Sequence, residues 1–151
     1  MLEAALITVL EEEAAILSGL KEAMLKEREG IVNCNPALLT ESLQVKEKLK
    51  ASLAALEKKR EMAVNNKSLR EIIQQAAPEQ QERLTSLQFE LNVSAREARV
   101  LSKANILLFK QSMALVAQLQ EGISHSYGHP YNESGEYAAR KMTGKLVSSS
   151  A

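Results

Sequence analysis

The chain has 151 residues, with 19 Lys plus Arg against 19 acidic residues and a formal net charge of zero, so it lacks the basic excess that binding a phosphate backbone needs; nucleic acid is excluded as an expected partner. All 19 acidic residues are Glu and none is Asp, and only 6 Gly and 3 Pro are present. Glu, Lys, Leu, Ala and Gln favour helix while Asp belongs at caps and turns, so the composition predicts an all-α chain of single-domain length.

The first predicted helix runs from Leu2 to about Asn33, roughly 45 Å at the helical rise. Its apolar stripe steps by fours and threes through Leu6, Leu10, Leu17, Leu20, Met24 and Ile31, broken at Glu13 and Glu27. The three consecutive Glu at 11–13 stand where a secretory signal would need an apolar run, and no apolar stretch approaches the ~18–20 residues of a bilayer span. The expectation is a cytoplasmic protein without stable membrane insertion.

Asn35 is a good N-cap and Pro36 suits the first helical position, where its missing N–H costs nothing. The second predicted helix follows to about Val64, with a stripe through Leu39, Leu43, Leu49, Leu53 and Leu56 that is broken at Lys46 and Arg60. The turn between the helices is short, so they should fold back on each other. In an antiparallel hairpin, facing positions have a constant sum; Glu13 with Arg60 gives 73, and so does Glu27 with Lys46. The first segment is acidic, with 7 Glu against 3 Lys plus Arg in residues 1–33, and the second is basic, with 4 Glu against 6 in residues 37–66. Glu13–Arg60 and Glu27–Lys46 are therefore expected as structural ion pairs in the seam, the alternative being four solvated surface charges.

Ser68 and Glu71 have the capping-box spacing, which predicts a short linker helix over Leu69–Ala76 with Leu69, Ile72 and Ile73 folded onto the bundle end. Pro78 and Glu79 then open the last long helix. Its seam steps through Leu84, Leu87, Leu91, Ser94, Ala98, Leu101, Asn105, Leu108, Ser112, Leu115 and Leu119, a coiled-coil-like run. Phe89, Ile106, Phe109, Met113 and Val116 widen the stripe, as packing against two helices would require. Ser94, Asn105 and Ser112 are expected to be buried and to set register. The fold class expected is all-α: an up-down-up antiparallel bundle of three long helices over residues 1–124, with a short linker helix and a mobile C-terminal tail over 125–151.

That tail holds Gly128, Gly135, Gly144, Pro130, both histidines and all three tyrosines. Tyrosine buries much area at little rotamer cost and keeps a polar tip, so Tyr127, Tyr131 and Tyr137 suggest an interface; the alternative is that a tail merely collects them. Catalysis fails on inventory. No His lies in residues 1–124, so a carboxylate–histidine metal site in the bundle cannot form, and His125 with His129 supply two ligands where zinc takes three or four. Cys34 has no acid–base partner nearby in sequence, and its single thiol excludes a disulfide framework. No Gly-rich phosphate loop is present. The expectation is no enzyme, no cofactor and no metal.

The spacing Leu43, Lys46, Leu49, Leu53, Leu56, Arg60 resembles the second-helix signature of the FlgN family, the flagellar type III export chaperones. The Glu-bearing leucine stripe of the first helix is similar to that family's, as is the run Leu101, Asn105, Leu108, Ser112, Leu115, Leu119, although Ser102 stands where the family often carries a second Asn. Tyr131-Asn132-Glu133-Ser134-Gly135 is similar to the Tyr-x-x-x-Gly element that follows the family's last long helix. The resemblance implies a cytoplasmic chaperone that binds hook-associated proteins of the flagellum, keeps them soluble and unassembled, and delivers them to the export apparatus. It also places client contact in the C-terminal segment, with Tyr131, Tyr137, Met142 and Leu146 as anchors. The alternative reading is a structural coiled-coil protein or adaptor that self-associates through the last long helix. A homodimer that completes the core is a candidate state under either.

Overall fold

The computed structural model describes residues 2–127, and among these only helices form: α1 (Leu2–Val32), α2 (Pro36–Val64), α3 (Leu69–Gln75) and α4 (Pro78–Tyr127). Each boundary has a local cause. At the end of α1, the Cys34 N–H donates to the Ile31 carbonyl at 3.3 Å and the Asn35 N–H to the Gly30 carbonyl at 2.9 Å, the paired bonds of a Schellman motif. Cys34 takes the left-handed position of that motif, at φ 50°, which glycine usually occupies. Asn35 then caps α2, its side chain accepting from the Leu38 N–H at 3.2 Å, and Pro36 follows at the first turn. Asn65 and Asn66, both at positive φ, end α2. Asparagine tolerates this conformation better than other side chains.

The capping box expected at Ser68 and Glu71 is present in both directions. The Ser68 hydroxyl accepts from the Glu71 N–H at 3.2 Å, and the Glu71 carboxylate accepts from the Ser68 N–H at 2.9 Å. α3 is only 7 residues long and would not hold alone. It is fixed by packing: Ile72 and Ile73 join Leu6 and Leu10 of α1 and Leu84 and Leu87 of α4 in one buried cluster, flanked by Ile7, Val64, Leu69, Ala76 and Leu91.

The chain divides into two units, residues 1–108 and residues 109–151, with the boundary inside α4. Within the first unit, α1 buries Leu6, Leu10, Glu13, Leu17, Leu20, Met24, Glu27 and Ile31, an unbroken alternation of four- and three-residue steps. The facing seam of α2 corrects the sequence reading at one place. Leu43 is exposed and Ser42 is buried, its hydroxyl donating to the Leu39 carbonyl at 2.8 Å. The regular stepping through Leu39, Ser42, Lys46, Leu49, Leu53, Leu56 and Arg60 selects position 42, whatever its hydrophobicity. A small residue suits that end of the hairpin, because Gly30 lets the helices close until a Cβ at position 30 would lie 3.0 Å from the Leu39 backbone nitrogen.

A second correction concerns α4. Leu84, Leu87, Ala98 and Asn105 are buried as expected of a seam, while Ser94 and Ser112 are only partly covered. Leu115 and Leu119 continue the same period but are exposed, and so are the residues read as widening the buried stripe: Phe89, Ile106, Phe109, Met113 and Val116. Among the described residues, α4 also contains an 18-residue window of mean hydropathy 1.2, apolar and long enough by composition to cross a bilayer, where the sequence reading found none.

Candidate functional site: a polar hub and an apolar face

Two carboxylates of α1 are buried in the seam, and each meets a cation of α2. Both oxygens of Glu27 accept from the Lys46 ammonium, at 2.8 and 2.9 Å. The Glu27 Oε2 atom also accepts from Asn105 Nδ2 of α4 at 2.9 Å, and the same amide nitrogen donates to the Met24 carbonyl at 2.7 Å. One carboxylate thus ties together three helices. Sequence reading expected Asn105 to set register but did not identify its partner, since 78 residues separate it from Glu27.

The other pair is looser. Glu13 Oε2 lies 3.4 Å from the Arg60 guanidinium, whose side chain keeps a third of its surface in water, while Glu13 itself is almost wholly buried. Its Oε1 atom has no hydrogen-bond partner among the described residues, and neither has Asn105 Oδ1. Burial pushes the Glu13 carboxyl above its ordinary 4.5; Arg60 pulls it down, and Glu57 adds a smaller upward push. Two further pairs, Lys21–Glu97 at 2.9 Å and Arg83–Glu11 at 2.7 Å, join α1 to α4 on the exposed rim. Exposed pairs of this kind contribute ~0–1 kcal/mol each.

The order of these contacts gives helix direction. Along α1 and α2 the partners run in opposite order (Glu13 with Arg60, Glu27 with Lys46). Along α1 and α4 they run in the same order (Glu11 with Arg83, Lys21 with Glu97, Glu27 with Asn105).

In the second unit, the part of α4 from Phe109 to Ile123 presents a different surface. Phe109, Met113, Val116, Leu119 and Ile123 recur at four- and three-residue spacing on one side of the helix and are 44–57% exposed. Scattered surface apolar residues are ordinary, but a continuous stripe on one helix marks an interaction surface. Four of its five members, Phe109, Met113, Val116 and Leu119, belong to the stripe expected from the sequence to be packed; Ile123 extends it by one step.

Chemical groups are sparse. Among the described residues no set of three or more His, Cys, Asp or Glu is placed to hold a metal ion. Cys34 is exposed at the hairpin turn. The His125 ring lies 3.0 Å from the Glu121 carbonyl of its own helix. Tyr131, Tyr137, Met142 and Leu146, the expected client anchors, lie outside the described residues, as does His129. What the described geometry offers is binding: a helical scaffold with its register fixed by buried ions and a long helix with an unfilled apolar side.

Comparison with known proteins agrees. A family model described as FlgN protein matches residues 1–139, which covers every described helix and reaches Tyr131 and Tyr137. Neither the curated proteins nor the solved structures gave a match.

Proposed function

The chain belongs to the FlgN family of flagellar export chaperones, and from that premise we propose that it is a cytoplasmic chaperone for hook-associated proteins, which it keeps soluble and unassembled and delivers to the flagellar export apparatus. The observation that carries this reading is the extent of the family match, from the first residue to position 139. We take the three long helices as an up-down-up bundle that serves as scaffold and residues 125–151 as the client-binding segment, with Tyr131, Tyr137, Met142 and Leu146 as its anchors. The first two of these fall inside the matched region and the last two beyond it.

The chemistry is that of surface coverage. A client whose helices display apolar stripes would polymerise early, and an amphipathic segment laid into such a stripe masks it by helix-in-groove packing. Recognition that orders a segment gives up about 2–5 kcal/mol of the gross interaction energy, which limits affinity and favours release. Neither masking nor release calls for bond making at the chaperone.

Deleting residues 131–151 tests the assignment. Far-UV circular dichroism and the urea midpoint should stay as in the full chain, while co-purification of hook-associated proteins is lost. A truncated chain that still retains its client refutes the segment's role. A full-length chain that retains none of them refutes the chaperone reading and favours the self-associating structural alternative.

A further inference from the structure

Within the first unit, the solvent side of α4 carries a second row of regularly stepped residues. At about 100° per residue, Phe89, Val93, Arg96, Val100, Lys103 and Leu107 fall on the side of the helix opposite the buried Leu84, Leu87, Ala98 and Asn105. They step by four and three, as the contact residues of a coiled coil do. Phe89, Val100 and Leu107 are 71%, 64% and 57% exposed, and Val93 is half-buried. The two remaining members of the row are cations. Arg96 and Lys103 are exposed, and neither makes an ion pair among the described residues. One flank of the row carries Glu90 and Glu97, the latter engaged by Lys21 at 2.9 Å, and the other carries Arg99. In a chain of zero net charge, residues 92–107 thus hold Arg96, Arg99 and Lys103 against Glu97 alone.

We propose that this row is a docking surface for an acidic amphipathic helix of another protein, whose apolar residues pack on Phe89, Val93, Val100 and Leu107 and whose carboxylates meet Arg96 and Lys103. The charges select the occupant. A helix laid along the row takes both cations out of water, and a cation buried without a counter-charge is costly. A neutral or basic helix is therefore rejected, while carboxylates at matching positions satisfy the pair. The spacing supports a single helical partner. Arg96 and Lys103 are one heptad apart, as are Val93, Val100 and Leu107, so one helix of the same period meets every member in turn. A second copy of the row is rejected by the same rule, since it brings two more cations and no carboxylate. The surface stands independently of the client assignment, because residues 89–107 precede the proposed client segment.

The probe is a dye-labelled synthetic helix of three heptads with Leu along one face and Glu at the positions that would meet Arg96 and Lys103; its control carries Lys at those positions. Fluorescence anisotropy against the full chain reads the affinity. The wild type should bind the Glu peptide about tenfold or more tightly than the Lys peptide, with the gap narrowing as salt is added. Arg96→Glu/Lys103→Glu should reverse that preference. Val100→Glu should abolish binding of the Glu peptide with unchanged helix content and urea midpoint, since Val100 is largely exposed. A wild type that binds neither peptide, or both equally, overturns the proposal, as does Glu-peptide binding that survives Val100→Glu. Flotation with phosphatidylglycerol vesicles that is lost in Arg96→Glu/Lys103→Glu would also overturn it, assigning the cations to a lipid surface. Deleting residues 131–151 should leave the Glu-peptide affinity unchanged, so this reading and the client assignment fail separately.

Discussion

Lys46→Ala isolates the hub. The substitution removes two charge-assisted hydrogen bonds from Glu27 and leaves that carboxylate with Asn105 Nδ2 alone, in a site where the Glu27 side chain is 10% exposed and that of Lys46 was 11%. Removing one partner of a buried pair costs about 3–5 kcal/mol, because the remaining ion keeps its desolvation penalty and loses its compensation. The retained amide bond places this case at the low end, about 3 kcal/mol. For a unit of this size that is a fall in Tm of roughly 13 °C. The double variant Glu27→Leu/Lys46→Leu removes the charge altogether, and Asn105 keeps its bond to the Met24 carbonyl. Replacing both ions by packed apolar groups is neutral or stabilising in comparable sites, so the double variant should fall within about 1 kcal/mol of wild type. Urea unfolding followed by far-UV circular dichroism, with m-values checked for constancy, measures both variants against wild type. A Lys46→Ala variant within about 0.5 kcal/mol of wild type would show that Glu27 and Lys46 behave as solvated surface charges, and the reasoning would be refuted.

Glu13 should respond to pH in the opposite sense to a paired surface carboxylate. Its folded pKa lies above its ordinary 4.5, so the native state takes up the proton first; the penalty for burying the charge is fully present above the raised pKa and disappears as pH falls through it towards 4.5. Glu13→Gln carries no such charge, so its advantage over wild type should be largest near about pH 7 and shrink on acidification. Urea midpoints of the two proteins across that range decide it, and a difference independent of pH excludes Glu13 as the source. The two glycines of α1 should behave differently from each other. Gly30→Ala would push a methyl to 3.0 Å from the Leu39 nitrogen and 3.2 Å from its Cα, backbone atoms that cannot move aside, and should cost about 1–3 kcal/mol. Gly19→Ala meets only the Leu49 side-chain end at 3.3 Å and gains up to about 1 kcal/mol of helix propensity, so it should be neutral or stabilising. Thermal melts of the two variants check this, and equal losses would show that the hairpin does not close tightly at Gly30.

The first helix was legible almost residue by residue, because its leucines and its two buried glutamates share one stepping pattern and each glutamate has a cation at a constant sum. The caps were legible too: Asn35, Pro36, Ser68 and Glu71 act within a few residues of their own positions. The errors have physical causes. Hydrophobicity alone points to Leu43, whereas the helical period and the close approach of the helices at Gly30 favour the small Ser42 at the seam. Leu115 and Leu119 were read as core because a period reports which side of a helix is apolar and not whether anything covers it. The bond from Asn105 to Glu27 had no local signature, since an amide can accept or donate almost anywhere in a bundle core. The C-terminal client anchors came from resemblance rather than from periodicity, and they lie outside the described residues.

The buried ions specify alignment where the leucines do not. Suppose α2 slips along α1 by one heptad, which the turn could absorb by unwinding one helical turn. With sums of 80, Leu53 faces Glu27 and Leu20 faces Arg60; with sums of 66, Leu39 faces Glu27 and Leu20 faces Lys46. Apolar side chains still meet apolar side chains elsewhere along the seam, so burial barely distinguishes the registers. The ions distinguish them sharply, because each slipped state strands a carboxylate and a cation among leucines, at several kcal/mol apiece. Asn105 extends the same condition to α4, since it can reach both Glu27 and the Met24 carbonyl only in the register observed. A hub that contributes little net stability can therefore still decide how three helices align.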